Sequence, residues 1–147
     1  MAGDGDPYDL ERFVEAQRGV FEQACAELRR GRKAGHWIWF IFPQIAGLGF
    51  SAMSQQYSIQ SLDEARAYLR HPVLGPRLRE ICEIVNGIQG RTAHEIVGSP
   101  DDMKLRSSMT LFEHAAEGDA VFIEVLRKYF GGTEDKRTVE LLSDVPV

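Results

Sequence analysis

The sequence has few of the features that mark secreted, membrane-spanning or nucleic-acid-binding proteins. Its two cysteines, Cys25 and Cys82, form no paired motif, which predicts small core residues in a reducing compartment. No apolar run approaches the ~18 residues that a membrane span needs. The start of the chain is acidic and glycine-rich, unlike a basic and then apolar signal peptide. The net charge of -5 argues against a general nucleic-acid or membrane-surface role. We therefore expect a cytoplasmic protein.

Motifs for metal-dependent, nucleotide-hydrolysing and covalent catalysis are also missing. The sequence contains no Walker motif, no Gly-x-Ser-x-Gly and no Cys-x-x-Cys. Its histidines are far apart and have neither the HxxxH nor the HExxH spacing: His36, His71, His94 and His114. We therefore predict no metal site and no cofactor.

What the sequence does contain is the pattern of one mainly α-helical domain. A chain of 147 residues can bury a sizeable core without disulfides. Apolar residues recur at three- and four-residue steps, which predicts a compact domain of six or seven helices with little or no sheet. The longest helix is predicted from Asp9 to Arg30. We expect residues 1–7 to be disordered, residues 8–142 to form the domain and residues 143–147 to be a tail.

The segment GHWIWFIFPQIAGLG, residues 35–49, contains both tryptophans and breaks the helical pattern. We interpret it as a short extended piece followed by a long ordered loop, in which alternate side chains point to opposite sides. Both sides are apolar, so they are either core or, on one side, the wall of a site for a planar ligand such as a nucleobase. The amides of AGLG would add polar contacts there. The candidate contacts are His36, Trp37, Trp39, Phe42 and Gln44.

A second unusual segment is KLRSSMTLFEH, residues 104–114, which is predicted to be helical but is rich in hydroxyl groups. Hydroxylated residues favour caps and turns over helix interiors, so their concentration needs a reason. One reason is contact with a phosphate or ribose, and the other is a solvated helix face. The candidate contacts are Lys104, Arg106, Ser107 and Ser108.

The third segment, QQYSIQSLDE, precedes a predicted helix. Ser61 and Glu64 have the spacing of a capping box, in which each side chain accepts a hydrogen bond from the other's backbone amide. Asp63 and Glu64 are therefore either first-turn carboxylates that favour the helix start or candidate catalytic bases beside the aromatic loop. Tyr57 and Gln60 are candidate ligand contacts.

Five longer stretches read DLERFVEAQ, ELRRGRKAGHWIWFIFPQIAGLG, YSIQSLDEARAYLRHPVLGPRL, MKLRSSMTLF and KYFGGTEDKRTVELL. Together they closely resemble a bacterial family of unknown function, number 1810, over residues 8–142. The resemblance implies a small cytosolic helical domain and no established activity.

A more distant similarity concerns function. The order F-P, then Y-S-I-Q with A-x-x-Y-L, then a basic helix, looks like the YbiA-like group, also called the NAD- and ADP-ribose-associated domain. That resemblance implies a helical fold and glycosidases that cleave N-glycosidic bonds of ADP-ribose or pyrimidine intermediates. The group carries a glutamate, thought to be catalytic, where this chain has Gln60. Because an amide cannot act as a base, Asp63 or Glu64 would have to replace it.

Two functional hypotheses follow. The first is an N-glycosidase or hydrolase for an ADP-ribosyl or related nucleotide, with the base on Trp37 or Trp39 and the phosphates on Lys104 and Arg106. This hypothesis expects Trp37, Gln44, Glu64, Lys104 and Arg106 to converge on one cavity. The alternative is a non-catalytic module that binds a nucleotide-like ligand or a protein. Nucleic-acid binding has only the RRGRK segment, residues 29–33, in its favour, and the acidic balance makes it the least favoured.

Overall fold

The computed structural model describes residues 5–143, and ten helices have both ends within that range. They are α1 (Glu11–Gln17), α2 (Phe21–Arg29), α3 (Ile38–Ile41), α4 (Ala52–Gln56), α5 (Leu62–Arg70), α6 (Leu74–Gly87), α7 (Ala93–Val97), α8 (Asp101–Ala115), α9 (Val121–Phe130) and α10 (Lys136–Ser143). The mainly α prediction is confirmed. The predicted count of six or seven helices was too low for two reasons. Short helices occupy stretches for which the sequence indicates loops, and the predicted long helix is divided into α1 and α2.

Part of the sequence prediction concerns the ends of the chain. The disorder expected at residues 1–7 and the tail expected at 143–147 fall mostly on residues 1–4 and 144–147, which lie outside the described residues. Within the described part, the Asp6 carboxylate accepts hydrogen bonds from the backbone amides of Leu10 (2.7 Å) and Glu11 (3.0 Å). These are two of the amides that a helix start leaves without a partner.

The single long helix predicted from Asp9 to Arg30 is wrong. The chain breaks between α1 and α2 at Gly19, whose φ of +75° lies in the left-handed region that glycine adopts without strain. Gln17, at the end of α1, is buried and donates a hydrogen bond to the Phe40 carbonyl oxygen at 2.8 Å. It also bonds to the Tyr68 hydroxyl at 3.1 Å. Gln17 therefore occupies a core position in α1 although it is polar, because its buried amide has hydrogen-bond partners there.

The core is built around α8, which packs against α3, α5, α7, α9 and α10. Residues 107–112 of this helix are all buried, so α8 lies inside the bundle and not on its surface. Aromatic pairs continue the core across neighbouring helices, with ring centroids 5.2 Å apart for Tyr68–Phe112 and for Phe13–Tyr68. Such tilted and edge-on arrangements are favourable packings of aromatic rings.

Both cysteines are free and buried in this core, as predicted. Burial raises the pKa of the Cys25 thiol to about 11 and raises the pKa of Cys82 further. A thiol with a raised pKa carries little thiolate at neutral pH, so these residues act as small apolar groups.

Within residues 5–143, no helix is both long and apolar enough to cross a membrane. The described residues form no strand. One isolated parallel bridge joins Ile45 to Ile59, through hydrogen bonds from the Ile59 amide to the Gln44 carbonyl and from the Ala46 amide to the Ile59 carbonyl, each 2.8 Å long. This bridge brings the end of the aromatic segment against the segment that precedes α5.

Candidate functional site

The aromatic segment begins at an anchor formed by Glu27, a buried residue of α2. One carboxylate oxygen of Glu27 accepts hydrogen bonds from the amides of Ala34 (2.8 Å) and Gly35 (2.9 Å) and from the Trp37 indole Nε1 (2.9 Å). The other oxygen accepts one from the Gln23 side chain at 2.9 Å. Burial alone would raise the pKa of this carboxyl, but these hydrogen bonds outweigh burial and lower it to about 2.

The extended conformation predicted for the start of this segment is wrong, because residues Ile38–Ile41 form a helical turn. A helical turn and an extended piece are hard to tell apart when every side chain is apolar. Trp37 (1% exposed) and Phe42 are core residues, and Trp37 is held on Glu27. His36 is exposed and lines none of the cavities described below. Trp37, Phe42 and His36 therefore do not form a ligand wall in this structure.

Trp39 differs from its neighbours because it is half-buried and lines a cavity of about 280 Å³. We call this the Trp39 cavity. Residues 45–49 form one side of it, and residues of α4 and the segment after it form another. The residues that line it include three of the other predicted ligand contacts. They are Gln44, Tyr57 and Gln60.

The lining of the Trp39 cavity is polar but uncharged. Among the described residues that line it, none is Asp, Glu, Lys, Arg or His. Ser58 lies between two glutamines, since its hydroxyl accepts a hydrogen bond from the Gln60 side chain (2.9 Å) and donates one to the Gln55 carbonyl (2.9 Å). The Gln44 side-chain amide makes no hydrogen bond to residues 5–143. The cavity therefore offers amide donors and acceptors next to aromatic side chains.

A second cavity, of about 510 Å³, adjoins the first and shares Gln55, Ser58 and Gln60 with it. We call it the Glu64 cavity. The Glu64 carboxylate is 2% exposed, and both of its oxygens have partners. One accepts a hydrogen bond from the Gln60 amide at 3.0 Å, and the other accepts one from the Arg12 guanidinium at 2.9 Å. In this state Glu64 is an ion-paired structural group, although it lines the cavity.

The capping box predicted at Ser61 and Glu64 is half confirmed. The Ser61 hydroxyl accepts a hydrogen bond from the Glu64 amide at 3.1 Å, so Ser61 caps α5. The Glu64 carboxylate accepts its bond from Gln60 instead of Ser61, because the chain enters the helix with Gln60 turned toward it. Asp63 is exposed, pairs with Arg66 at 3.2 Å and lines neither cavity.

Arg12 is a member of this site that sequence reasoning missed. Its guanidinium donates hydrogen bonds to the backbone carbonyls of Tyr8, Asp9, Gln56 and Ser58 at 2.6–2.9 Å, besides its bond to Glu64. It therefore connects the start of the chain, the segment before α5 and α5 itself. Arg12 occupies a polar position of a predicted helix, and no local pattern distinguishes such an arginine from a solvated one.

The hydroxyl-rich helix α8 approaches the site at one residue only. The Lys104 ammonium lies 4.7 Å from the centre of the Trp39 ring and 3.6 Å from the Asp101 carboxylate. Arg106 is used elsewhere, since it donates hydrogen bonds to the carbonyls of Thr133 (2.9 Å) and Glu134 (3.0 Å). Ser107 donates to the Met103 carbonyl of its own helix at 3.0 Å. The Ser108 hydroxyl is buried with no hydrogen-bond partner in the described residues.

The five residues expected to converge on one cavity therefore do so in part. Gln44 lines the Trp39 cavity, Glu64 lines the adjoining one, and Lys104 covers the Trp39 ring. Trp37 and Arg106 lie elsewhere. Within residues 5–143, no group of three or more His, Cys, Asp or Glu side chains is arranged to hold a metal ion.

Comparisons with known proteins agree with this helical architecture. The crystal structure of the conserved hypothetical protein Rv1873 from Mycobacterium tuberculosis, at 1.38 Å, is 55% identical in sequence, with a TM-score of 0.93. The match covers 95% of this chain and 100% of that one. No curated protein matches the chain. The sequence model of a protein family of unknown function, DUF1810, matches residues 7–142. The chain therefore belongs to the DUF1810 family.

Proposed function

We propose that this protein is a binding module for the planar, uncharged part of a nucleotide-like ligand, such as the base or the nucleoside. The observation that carries the proposal is the convergence of Trp39, Gln44, Tyr57 and Gln60 on one cavity that residues 45–49 also line. Aromatic faces bind planar rings by stacking, and amide groups match the hydrogen-bonding edges of a base.

The chemistry of the lining favours an uncharged group over a phosphate. Phosphate sites use arginine, lysine or a group of backbone amides at a helix start. Lys104 is the cation nearest to Trp39, and it faces Asp101, which also pairs with Lys33 at 2.8 Å. The carboxylate of Asp101 therefore offsets part of the positive charge that Lys104 could offer to an anion. We infer that the base or nucleoside provides most of the binding energy and that any phosphate adds little.

The size of the site sets a limit on the ligand. A volume of about 280 Å³ lies just below the range of about 300–1,000 Å³ for small-molecule sites. It is suited to one ring system with its immediate substituents. A larger ligand, such as ADP-ribose or NAD, would extend past Ser58 and Gln60 into the Glu64 cavity.

Replacing Trp39 with leucine is expected to weaken binding of adenosine and ADP-ribose by about 5- to 150-fold, because base–aromatic stacking contributes about 1–3 kcal/mol. Isothermal titration calorimetry measures this directly. Phe50→Leu is the matched control, since Phe50 is an exposed aromatic residue that does not line the Trp39 cavity. The parent protein and the control should bind adenosine and ADP-ribose within a few-fold of each other. No binding of adenosine, NAD or ADP-ribose at millimolar concentration would refute the proposal.

A second candidate function is hydrolysis of an N-glycosidic bond in an ADP-ribosyl nucleotide. Two observations favour it: the YbiA-like resemblance, and the carboxylate of Glu64 in the cavity next to the Trp39 cavity. A carboxylate there would stabilise the positive charge that develops on the sugar, or position the water that adds to it. Against it, Gln60 stands where that group has a glutamate, and both Glu64 oxygens have partners.

Glu64→Gln distinguishes the two candidates. Our proposal expects that the parent protein binds NAD or ADP-ribose without releasing a free base, as measured by chromatography over hours. Asp63→Asn is the control, because Asp63 is the neighbouring carboxylate and is exposed. If the parent releases base, and Glu64→Gln abolishes release but keeps binding while Asp63→Asn keeps both, the protein is a glycosidase and the binding-module proposal is wrong.

A further inference from the structure

A basic surface lies on this acidic protein, and its lining shares no residue with the cavities described above. The RRGRK segment, residues 29–33, forms part of it, and its other basic side chains are Arg91, just before α7, and His94 in α7. The Lys33 amide donates a hydrogen bond to the Ile96 carbonyl at 2.7 Å, which ties the segment to α7. Arg91 lies over Gly31 so closely that a β-carbon there would be 2.8 Å from the Arg91 Nε. Residues about 60 positions apart in the sequence thus form one surface.

This surface contains two concavities, of about 390 and 450 Å³, and Arg91 lines both of them. Their combined lining carries five arginine or lysine residues and one carboxylate, Glu95, for a formal charge of +4 with His94 neutral. Since the whole chain has a net charge of -5, the remaining residues carry -9. The charge of this protein is therefore strongly separated, which the net value conceals.

Three of the basic residues have no partner within residues 5–143. Arg30, Arg32 and Arg91 are exposed, and their guanidinium groups make neither an ion pair nor a hydrogen bond to the described residues. Most arginines elsewhere on the surface are paired, although Arg127 is exposed and makes no ion pair within residues 5–143. Three of them pair with a carboxylate three residues away at 2.7–3.4 Å: Arg18 with Glu15, Arg66 with Asp63, and Arg137 with Glu140. Unpaired guanidiniums grouped in concave positions are available for an external anion.

We propose that this surface binds the phosphate backbone of single-stranded nucleic acid, without selecting bases. A guanidinium binds phosphate through paired hydrogen bonds, and a flexible strand can direct successive phosphates into both concavities. The phosphates of a duplex, by contrast, are held at fixed positions. Among the described residues that line the two concavities, none is Phe, Tyr or Trp, so bases have no stacking surface there. The exposed large apolar side chains that would anchor a membrane-binding surface lie outside this lining.

The triple variant Arg30→Ala/Arg32→Ala/Arg91→Ala tests the proposal by fluorescence anisotropy with a labelled oligouridine strand. Each phosphate contact lowers the slope of log affinity against log salt by about 0.7 for a single strand. The variant should therefore reduce the magnitude of the slope by about 2, and it should bind at least tenfold more weakly at about 50 mM salt. The control is Arg18→Ala/Arg66→Ala/Arg137→Ala, which removes the same charge from paired arginines and should keep most of the affinity and slope.

Several results would overturn the proposal. One is equal loss of binding in the two triple variants, because net charge would then explain the affinity. Another is no binding of oligouridine by the parent at about 50 mM salt. Binding of anionic phosphatidylserine vesicles without binding of oligouridine would assign the surface to a membrane. Clearly tighter binding of oligoadenosine than of oligouridine would contradict the absence of base selection.

Discussion

Replacing Glu27 with glutamine is expected to lower the free energy of unfolding by about 3 kcal/mol at neutral pH, as measured by urea denaturation. The side chain keeps its shape but loses the charge that four hydrogen-bond donors surround. The pKa of Glu27 is held at about 2, against 4.5 for an ordinary glutamate, so the fold binds the carboxylate much more strongly than a neutral group. The amide nitrogen of the new glutamine also adds a donor where only donors are present.

The same pKa difference determines how this effect depends on pH. The pKa of Glu27 is lower in the folded state than in the unfolded state. The charged Glu27 therefore contributes its full stabilisation of the fold above about pH 4.5, and this stabilisation is lost as the pH falls from about 4.5 to about 2. The difference in stability between the parent and Glu27→Gln should stay constant from about pH 7 to pH 6 and shrink below about pH 4.5.

Glu22→Gln is the matched control, since it makes the same charge change in the same helix, α2. The Glu22 side chain is exposed and makes no hydrogen bond or ion pair within residues 5–143. We expect a change of no more than about 0.5 kcal/mol, because a first-turn carboxylate interacts only weakly with the helix start. Two results would mean that the anchor does not stabilise the fold in this way. One is an equal loss of unfolding free energy in the two variants, and the other is a Glu27→Gln loss that does not change with pH.

The sequence predicts the helical class of this fold well, and it predicts the position of the aromatic connector. It predicts the conformation of that connector poorly. Ile38–Ile41 is apolar on every side, so periodicity cannot separate a helical turn from an extended piece. The decisive contact is Glu27 with Trp37, and no local pattern indicates that a glutamate on a helix accepts three bonds from one short segment.

The candidate site was predicted in part for a similar reason. Trp39, Gln44, Tyr57 and Gln60 belong to two segments with unusual composition, and the Ile45–Ile59 bridge brings those segments together. Ser107 and Arg106 are in an unusual segment as well, but their polar groups satisfy the backbone inside the fold. A rare composition indicates that a segment is special, but it does not separate binding from internal hydrogen bonding.

The basic surface and the break at Gly19 are not predicted by the sequence for a different reason. Arg91 joins the RRGRK segment only through the packing of α7 against the chain after α2, and Gln17 turns inward only because Phe40 and Tyr68 lie opposite it. Both depend on contacts between distant parts of the sequence. Averages such as net charge, and patterns within one helix, contain no information about such contacts.

Gly75→Ala is expected to lower the free energy of unfolding by at least about 3 kcal/mol, the upper end of the usual cost of overpacking a core. Gly75 is buried in the first turn of α6, and a β-carbon there would lie 2.1 Å from the backbone carbonyl oxygen of Leu69, the residue before the last in α5. That oxygen cannot rotate away as a side chain can, so the two helices would have to separate. Chemical denaturation of the purified variant measures the loss.

Gly87→Ala, at the other end of α6, is the control with the opposite expected sign. A β-carbon at Gly87 meets no atom within 4 Å, and its φ is not in the left-handed region. Alanine there should therefore stabilise the protein by up to about 1 kcal/mol through its higher helix propensity and the reduced freedom of the unfolded chain. The opposite signs separate a steric requirement from a general effect of alanine in this helix. A shift of both unfolding midpoints in the same direction would show that the approach of α5 to α6 is not what requires glycine at position 75.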